Sequence, residues 1–254
     1  MRFASLGSGS RGNSLLVEVG RTRVLIDAGF GPRETGRRLA RLGVGATEID
    51  AVLVTHEHSD HIGGAYACAS RFGWRLLATA GTLAAWTRGE SDVAGEAIDS
   101  HRGFAFGDML VEPFPVPHDA REPVQFVLGD GARRLGVLTD AGHVTPHMVA
   151  MLDGCDAIVL ECNHDLDLLA AGNYPQALKT RIAGPQGHLD NQAAGSLLAR
   201  IDKARLRHVI AAHLSEENNS PELAQAALCR SLDCDASWVG VANQAVGFDW
   251  REIQ

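Results

Sequence analysis

Between Thr55 and His61 the chain reads Thr-His-Glu-His-Ser-Asp-His, three histidines and two acids in seven residues. Imidazole nitrogen and carboxylate oxygen together suit borderline divalent cations such as zinc or manganese. His56 and His58 stand two apart, and Asp60 adjoins His61, so the run offers two pairs of ligands and can begin two adjacent sites. Neither pair closes a site alone, and further ligands must come from elsewhere in the chain. The competing reading is a histidine-rich loop lying in solvent. Against it, the run directly follows the apolar stretch Ala51-Val52-Leu53-Val54, and other histidines and acids also stand at the ends of apolar stretches.

Those apolar stretches are the elements that must position the cluster. The run at 51–54 reads as a buried strand, and Gly63-Gly64 turns the chain into a helix. Strands are expected over about 15–19, 23–26, 75–79, 103–106, 110–116, 124–129, 134–139, 157–160, 207–212, 237–240 and 245–248. Helices are expected over about 32–42, 82–88, 146–152, 192–201 and 221–232. The last two strands are expected to finish a second sheet. Periodicity alone gives a mixed α and β fold.

Several residues stand where those strands end. His118 follows Pro115-Val116-Pro117, and proline cannot continue a central ladder, so the chain leaves the sheet there with His118 held at the edge. It is the candidate third histidine of the first site. Asp140 ends the apolar run from Leu135 to Leu138; it is either a turn or capping aspartate or a carboxylate facing a cation. Glu161, with His164 close behind, ends the run at 157–160. His188 precedes a helix that Asp190 or Asn191 would cap. His213 ends the run at 207–212 and is the candidate that completes the second site. The small-residue loop from Ser8 to Ser14 is either a plain connection or a backbone cradle beside a ligand.

The run His-x-His-x-Asp-His, with Thr before it and Gly-Gly after it, resembles the metallo-β-lactamase-fold hydrolases. The chain is most similar to the bacterial YycJ/WalJ-like branch, whose members are described as exonucleases. The resemblance implies an α+β, four-layer αββα sandwich in which residues 1–254 form one domain. It implies two divalent ions, zinc first and manganese as the alternative. His56, His58 and His118 would hold one ion, Asp60, His61 and His213 the other, and Asp140 would bridge them. Asp27 would support a ligand without being one. A water shared by the ions would be the nucleophile, so no serine or cysteine nucleophile is needed. Besides Asp60, the implied catalytic residues are His188 and Glu161. Their segments resemble those by which tRNase Z-type phosphodiesterases build a proton shuttle, with His188 as general acid or, alternatively, as a capping or supporting residue. Ser10, Asn13, His164 and Ser215 fall in the implied substrate pocket.

Composition narrows the classes. No apolar run approaches the roughly 18 residues of a membrane span, and the first residues carry no signal-peptide core, so a cytoplasmic protein without a membrane partner is expected. Five scattered cysteines argue for free thiols over a disulfide framework. A net charge of −8 is no footprint of a general nucleic-acid binder. Two bound divalent ions would nevertheless add about four positive charges locally. DNA or RNA is the expected substrate. A small-molecule hydrolase acting on a cyclic phosphate or thioester, and a non-catalytic metal-stabilised binding module, are the alternatives. Oligomeric state is left open, a dimer included.

Overall fold

The computed structural model describes residues 1–86 and 93–254. The first sheet is built by β1 (Arg2–Gly7), β2 (Ser14–Val19) and β3 (Thr22–Ile26) as an antiparallel meander. It continues in parallel through β4 (Ala51–Leu53), β5 (Arg75–Thr79) and β6 (Glu96–Ile98). In the second sheet β7 (Phe104–Phe106), β8 (Met109–Pro115), β9 (Val124–Gly129) and β10 (Arg134–Leu138) are antiparallel. From β10 the order runs parallel through β11 (Ala157–Glu161), β12 (His208–Ala212) and β13 (Gly240–Val241). β14 (Phe248–Glu252) returns to pair with β1.

Near-continuous apolar runs such as Ala157-Ile158-Val159-Leu160 form these strands because both faces are covered. Alternate residues serve two interfaces. Val137, Val159 and Ile210 pack between the sheets against Val17, Val24 and Leu53. Leu138, Ile158, Leu160 and Val209 face the other way, toward α5 (Pro146–Leu152), α8 (Asn191–Arg200) and α9 (Pro221–Leu232). On the far side Leu16, Leu25 and Val52 pack under α1 (Pro32–Arg41) and α3 (Ala65–Phe72). Three apolar interfaces between four layers are the expected αββα sandwich.

Several boundaries depart from expectation. β1 was not anticipated; its strand state comes from pairing on both sides, with β2 and β14. The helix expected over 82–88 is α4 (Ala80–Ala85), which starts two residues earlier, where Thr79 accepts a hydrogen bond from the Thr82 amide and caps it. Thr87 and Arg88 lie outside the described residues. The strand expected at 237–240 is mostly a 3₁₀ turn, Ala236–Trp238, followed by the two-residue β13. The strand expected at 245–248 starts only at Phe248, because Asn243–Gly247 forms a tight turn with Gly247 at φ 63°. It completes the first sheet, not the second. Two helices between β11 and α8 were also unforeseen: α6 (Leu166–Ala171), capped by Asp165, and α7 (Gln176–Ile182).

Candidate active site

The turn after β4 carries the histidine cluster. His58 is the N-cap of α2 (Ser59–Ile62), a single helical turn that places His61 one turn beyond His58. Facing it are the ends of β8, β10, β11 and β12. Three site residues adopt left-handed backbone directly after strands: Asp27 (φ 62°), Asp140 (φ 58°) and His213 (φ 55°). This conformation is uncommon outside glycine but enriched in Asp, Asn and His. Here it turns each chain sharply at the sheet edge and directs a polar side chain into the rim between the sheets.

Hydrogen bonds fix the ring orientations. Asp27 accepts from the Thr55 amide at 2.8 Å, from Thr55 Oγ1 at 2.9 Å and from His61 Nδ1 at 2.7 Å. The Thr55 hydroxyl has one proton, given to Asp27, so at 2.9 Å it accepts from His56 Nδ1. His118 Nδ1 donates to the Gly187 carbonyl at 2.9 Å. Each of these rings therefore turns its Nε2 toward the common centre. His58 differs, presenting Nδ1 at 3.2 Å from His118 Nε2.

The residues expected as ligands come together. Ligand atoms of His56, His58 and His118 all lie within 4.8 Å of one another, as do those of Asp60, His61 and His213. His56, His61 and Asp140 form a third such group that joins the first two. Asp140 Oδ2 is 2.9 Å from His61 Nε2, and Oδ1 is 3.2 Å from His213 Nδ1. The metal fit can be judged from the buried atoms. His56 Nε2, His213 Nε2 and Asp140 Oδ2 are inaccessible to solvent and make no well-formed hydrogen bond. Lone pairs buried in this way are costly without a donor or cation. A nitrogen and oxygen donor set of this geometry fits divalent ions.

Glu161 is fully buried and holds the other flank. It accepts from His188 Nδ1 at 2.8 Å and His213 Nδ1 at 3.1 Å, and from the amides of Ala141 and Leu189. Burial opposes its ionisation, but the His188 charge and these donors prevail and bring its pKa down to about 2. Burial likewise opposes charge on His188, yet Glu161 and Asp140 raise its pKa to about 10. His213, against the same opposition, is pushed up to about 9 by Asp140, Asp60 and Glu161. His56 goes the other way: burial and the neighbouring His61 hold it well below the ordinary histidine range.

A cavity of about 390 Å³ opens over this cluster, lined among others by Ser10, His58, Asp60, Asp140, His188 and Ser215. Two of the expected pocket residues do not line it. Asn13 is buried beneath, donating to Asp60 Oδ2 at 3.1 Å. His164 is 1% exposed, with its backbone bridged to Asp190, and does not line the cavity; its neighbour Asn163 does. Other contributors lie in or beside stretches noted in sequence but were not themselves named as site residues. Ser8 Oγ accepts from the His213 amide at 2.9 Å, and Asn163 Nδ2 donates to the His213 carbonyl at 3.1 Å. Asp119 places Oδ1 3.4 Å from His118 Nε2, and its adjacency to His118 was the one available signal. Tyr174 and Arg181 line the cavity from a stretch with no strand-end signal.

The model of the Beta-lactamase superfamily domain matches residues 22–213, from β3 to the histidine after β12. The chain belongs to this superfamily. It is 34% identical over 248 residues to the exodeoxyribonuclease YycJ of Bacillus anthracis, covering 95% of this chain and 93% of that one. It is also 34% identical to the exodeoxyribonuclease WalJ of Streptococcus pneumoniae, covering 98% and 92%. In three dimensions it resembles the metallo-beta-lactamase fold protein YhfI of Bacillus subtilis, with a TM-score of 0.74, 15% identity and 98% of each chain covered. Membership in the superfamily makes this chain a metal-dependent hydrolase, and its histidine and aspartate groups fit divalent ions. No helix among the described residues is long and apolar enough to cross a membrane.

Proposed function

We propose that the protein is a phosphodiesterase that removes nucleotides from the ends of DNA with two divalent ions. The observation that carries this reading is the His188 ring. It lines the cavity beside the expected ligands and is bound to a buried carboxylate, Glu161, at 2.8 Å. A phosphodiester needs a proton delivered to its departing oxygen, and an imidazolium at a cavity wall suits that task. Near-full-length similarity to two named exodeoxyribonucleases supports the same substrate class.

In this reading His56, His58 and His118 would hold one ion, Asp60, His61 and His213 the other, with Asp140 the residue that would serve both. Bound ions supply a water of lowered pKa and positive charge against the phosphate oxygens. Zinc is the favoured metal, with manganese compatible with the same donors. The chain's own residues do the rest. Asp27 and Thr55 orient His56 and His61, a role that raises ligand basicity and fixes the tautomer. Glu161 orients His213 and keeps His188 protonated. Ser10 and Ser215 offer hydroxyls at the cavity wall. The chain is expected to act as one domain in the cytoplasm.

The test is metal-dependent release of nucleotides from end-labelled single- and double-stranded DNA and RNA, run beside bis-p-nitrophenyl phosphate and a thioester. DNA ends should be preferred. Turnover of the thioester alone, with every oligonucleotide left intact, would sink the proposal. His188→Ala should slow cleavage of DNA, whose leaving group is poor, far more than that of a p-nitrophenyl ester. Equal slowing of both would remove its role as acid.

A further inference from the structure

One wall of the cavity comes from a part of the chain that contributes no expected ligand, the α6–α7 segment. Arg181, in the last turn of α7, donates from Nε to Asp119 Oδ2 at 2.6 Å. The other oxygen of Asp119 faces His118 Nε2 at 3.4 Å. One carboxylate thus ties the guanidinium to the turn that carries His118. The arginine side chain is nevertheless 60% exposed, and among the described residues its two Nη groups make no hydrogen bond. A guanidinium presents five donors in a planar fork, and here only the Nε–H is used. The remaining edge is held at a cavity wall in the form that grips a phosphate in a bidentate manner.

Tyr174, just before α7, lines the same cavity. Its ring is half-buried and makes no ring contact or hydrogen bond with any described residue. An aromatic face left unpartnered at such a wall suits a base, because every base offers a π-face. The cavity, at about 390 Å³, lies at the lower end of the range for ligand pockets, a size that suits one end of a strand. Inside a duplex each base has both faces stacked, so only an unpaired or terminal base can offer one to Tyr174.

We infer that Arg181 and Tyr174 form a subsite for a single-stranded nucleic-acid end, Arg181 gripping a backbone phosphate and Tyr174 stacking on the neighbouring base. This rests on the nuclease reading above and gives it a strand preference. The two residues contact substrate and do no chemistry. In duplex DNA only the terminal base could reach Tyr174 without strand separation.

The experiment compares wild type, Arg181→Gln, Tyr174→Leu and Tyr174→Phe, all metal-loaded. Substrates are a short single-stranded DNA and bis-p-nitrophenyl phosphate, which has neither a second phosphate nor a base. Arg181→Gln and Tyr174→Leu should each raise KM for the oligonucleotide about tenfold with kcat little changed, and Tyr174→Phe should behave as wild type. Turnover of bis-p-nitrophenyl phosphate should stay within about twofold in all of them. Fluorescence anisotropy of the labelled oligonucleotide in EDTA gives a readout independent of turnover. There Arg181→Gln should weaken binding and flatten the log–log salt dependence by about one. An oligonucleotide KM and affinity equal to wild type in both variants overturns the subsite. So does an equal loss on both substrates, which would reduce Arg181 to a pin for α7. Failure of the nuclease reading looks different: wild type hydrolyses bis-p-nitrophenyl phosphate, neither binds nor trims the oligonucleotide, and the subsite falls with it.

Discussion

The same three residues, Asp-Ala-Gly, follow β3 and β10, as Asp27-Ala28-Gly29 and Asp140-Ala141-Gly142. Both aspartates are 2% exposed, and both have left-handed backbone. Both glycines sit where a Cβ would strike backbone, at 1.9 Å from the Asp60 carbonyl for Gly29 and 2.3 Å from the Pro185 carbonyl for Gly142. The two sheets thus use one turn to bring a carboxylate to their shared rim. The carboxylates then differ in what they meet. Both oxygens of Asp27 are taken by Thr55 and His61 donors, so it has nothing left to offer a cation. Asp140 keeps Oδ2 without a well-formed hydrogen bond and stands between the two histidine groups. Identical local sequence and backbone yield an orienting residue in one sheet and a candidate bridging ligand in the other. The neighbours assign the role.

That contrast can be broken most sharply at Asp140. Asp140→Ala should cost both ions affinity and lower turnover by about a thousandfold or more, read by metal analysis and initial rates. His213→Ala, which touches only the second group, should leave about one ion per chain where wild type holds about two, by the same metal analysis. Asp27→Ala is milder: metal affinity should fall about 10- to 100-fold, with much of the activity regained at saturating metal. Equal damage from Asp27→Ala and Asp140→Ala would erase the distinction between the two turns. Gly29→Ala and Gly142→Ala should each destabilise by about 1–3 kcal/mol through the backbone clash, measured by denaturant unfolding. The smallest effect belongs to a pair remote from both turns. Arg75→Ala, which breaks an exposed ion pair with Glu96, should change stability by less than about 1 kcal/mol.

Legibility in the sequence followed how local each feature is. The cluster from His56 to His61 could be read directly, because its ligands share one turn and need no partner to be seen as a group. Apolar runs with covered faces gave the central strands within a residue or two. β1 was missed and β14 misplaced because each is a strand by virtue of its pairing, β14 with β1 at the opposite end of the chain and β1 between β14 and β2. α7 was missed because its role is to wall a cavity, and nothing in its own residues announces that. His164 looked like a pocket residue from its place after β11, but its side chain is buried and the adjacent Asn163 lines the cavity, an alternation that sequence alone does not show.

By itself, the sequence determined the chemistry available: imidazoles and carboxylates at the ends of buried strands, donor kinds that suit divalent ions. Its periodicity determined a mixed α and β fold with strands covered on both faces, and the four-layer order came from the family resemblance. Only the tertiary structure decided which carboxylate has its oxygens taken by donors and which keeps one free, which serine and asparagine line the cavity, and that Arg181 and Tyr174 reach it at all. The physical reason is that donor type is a property of a residue, whereas the number of donors already satisfied is a property of its surroundings, and those come from chain segments far apart in sequence.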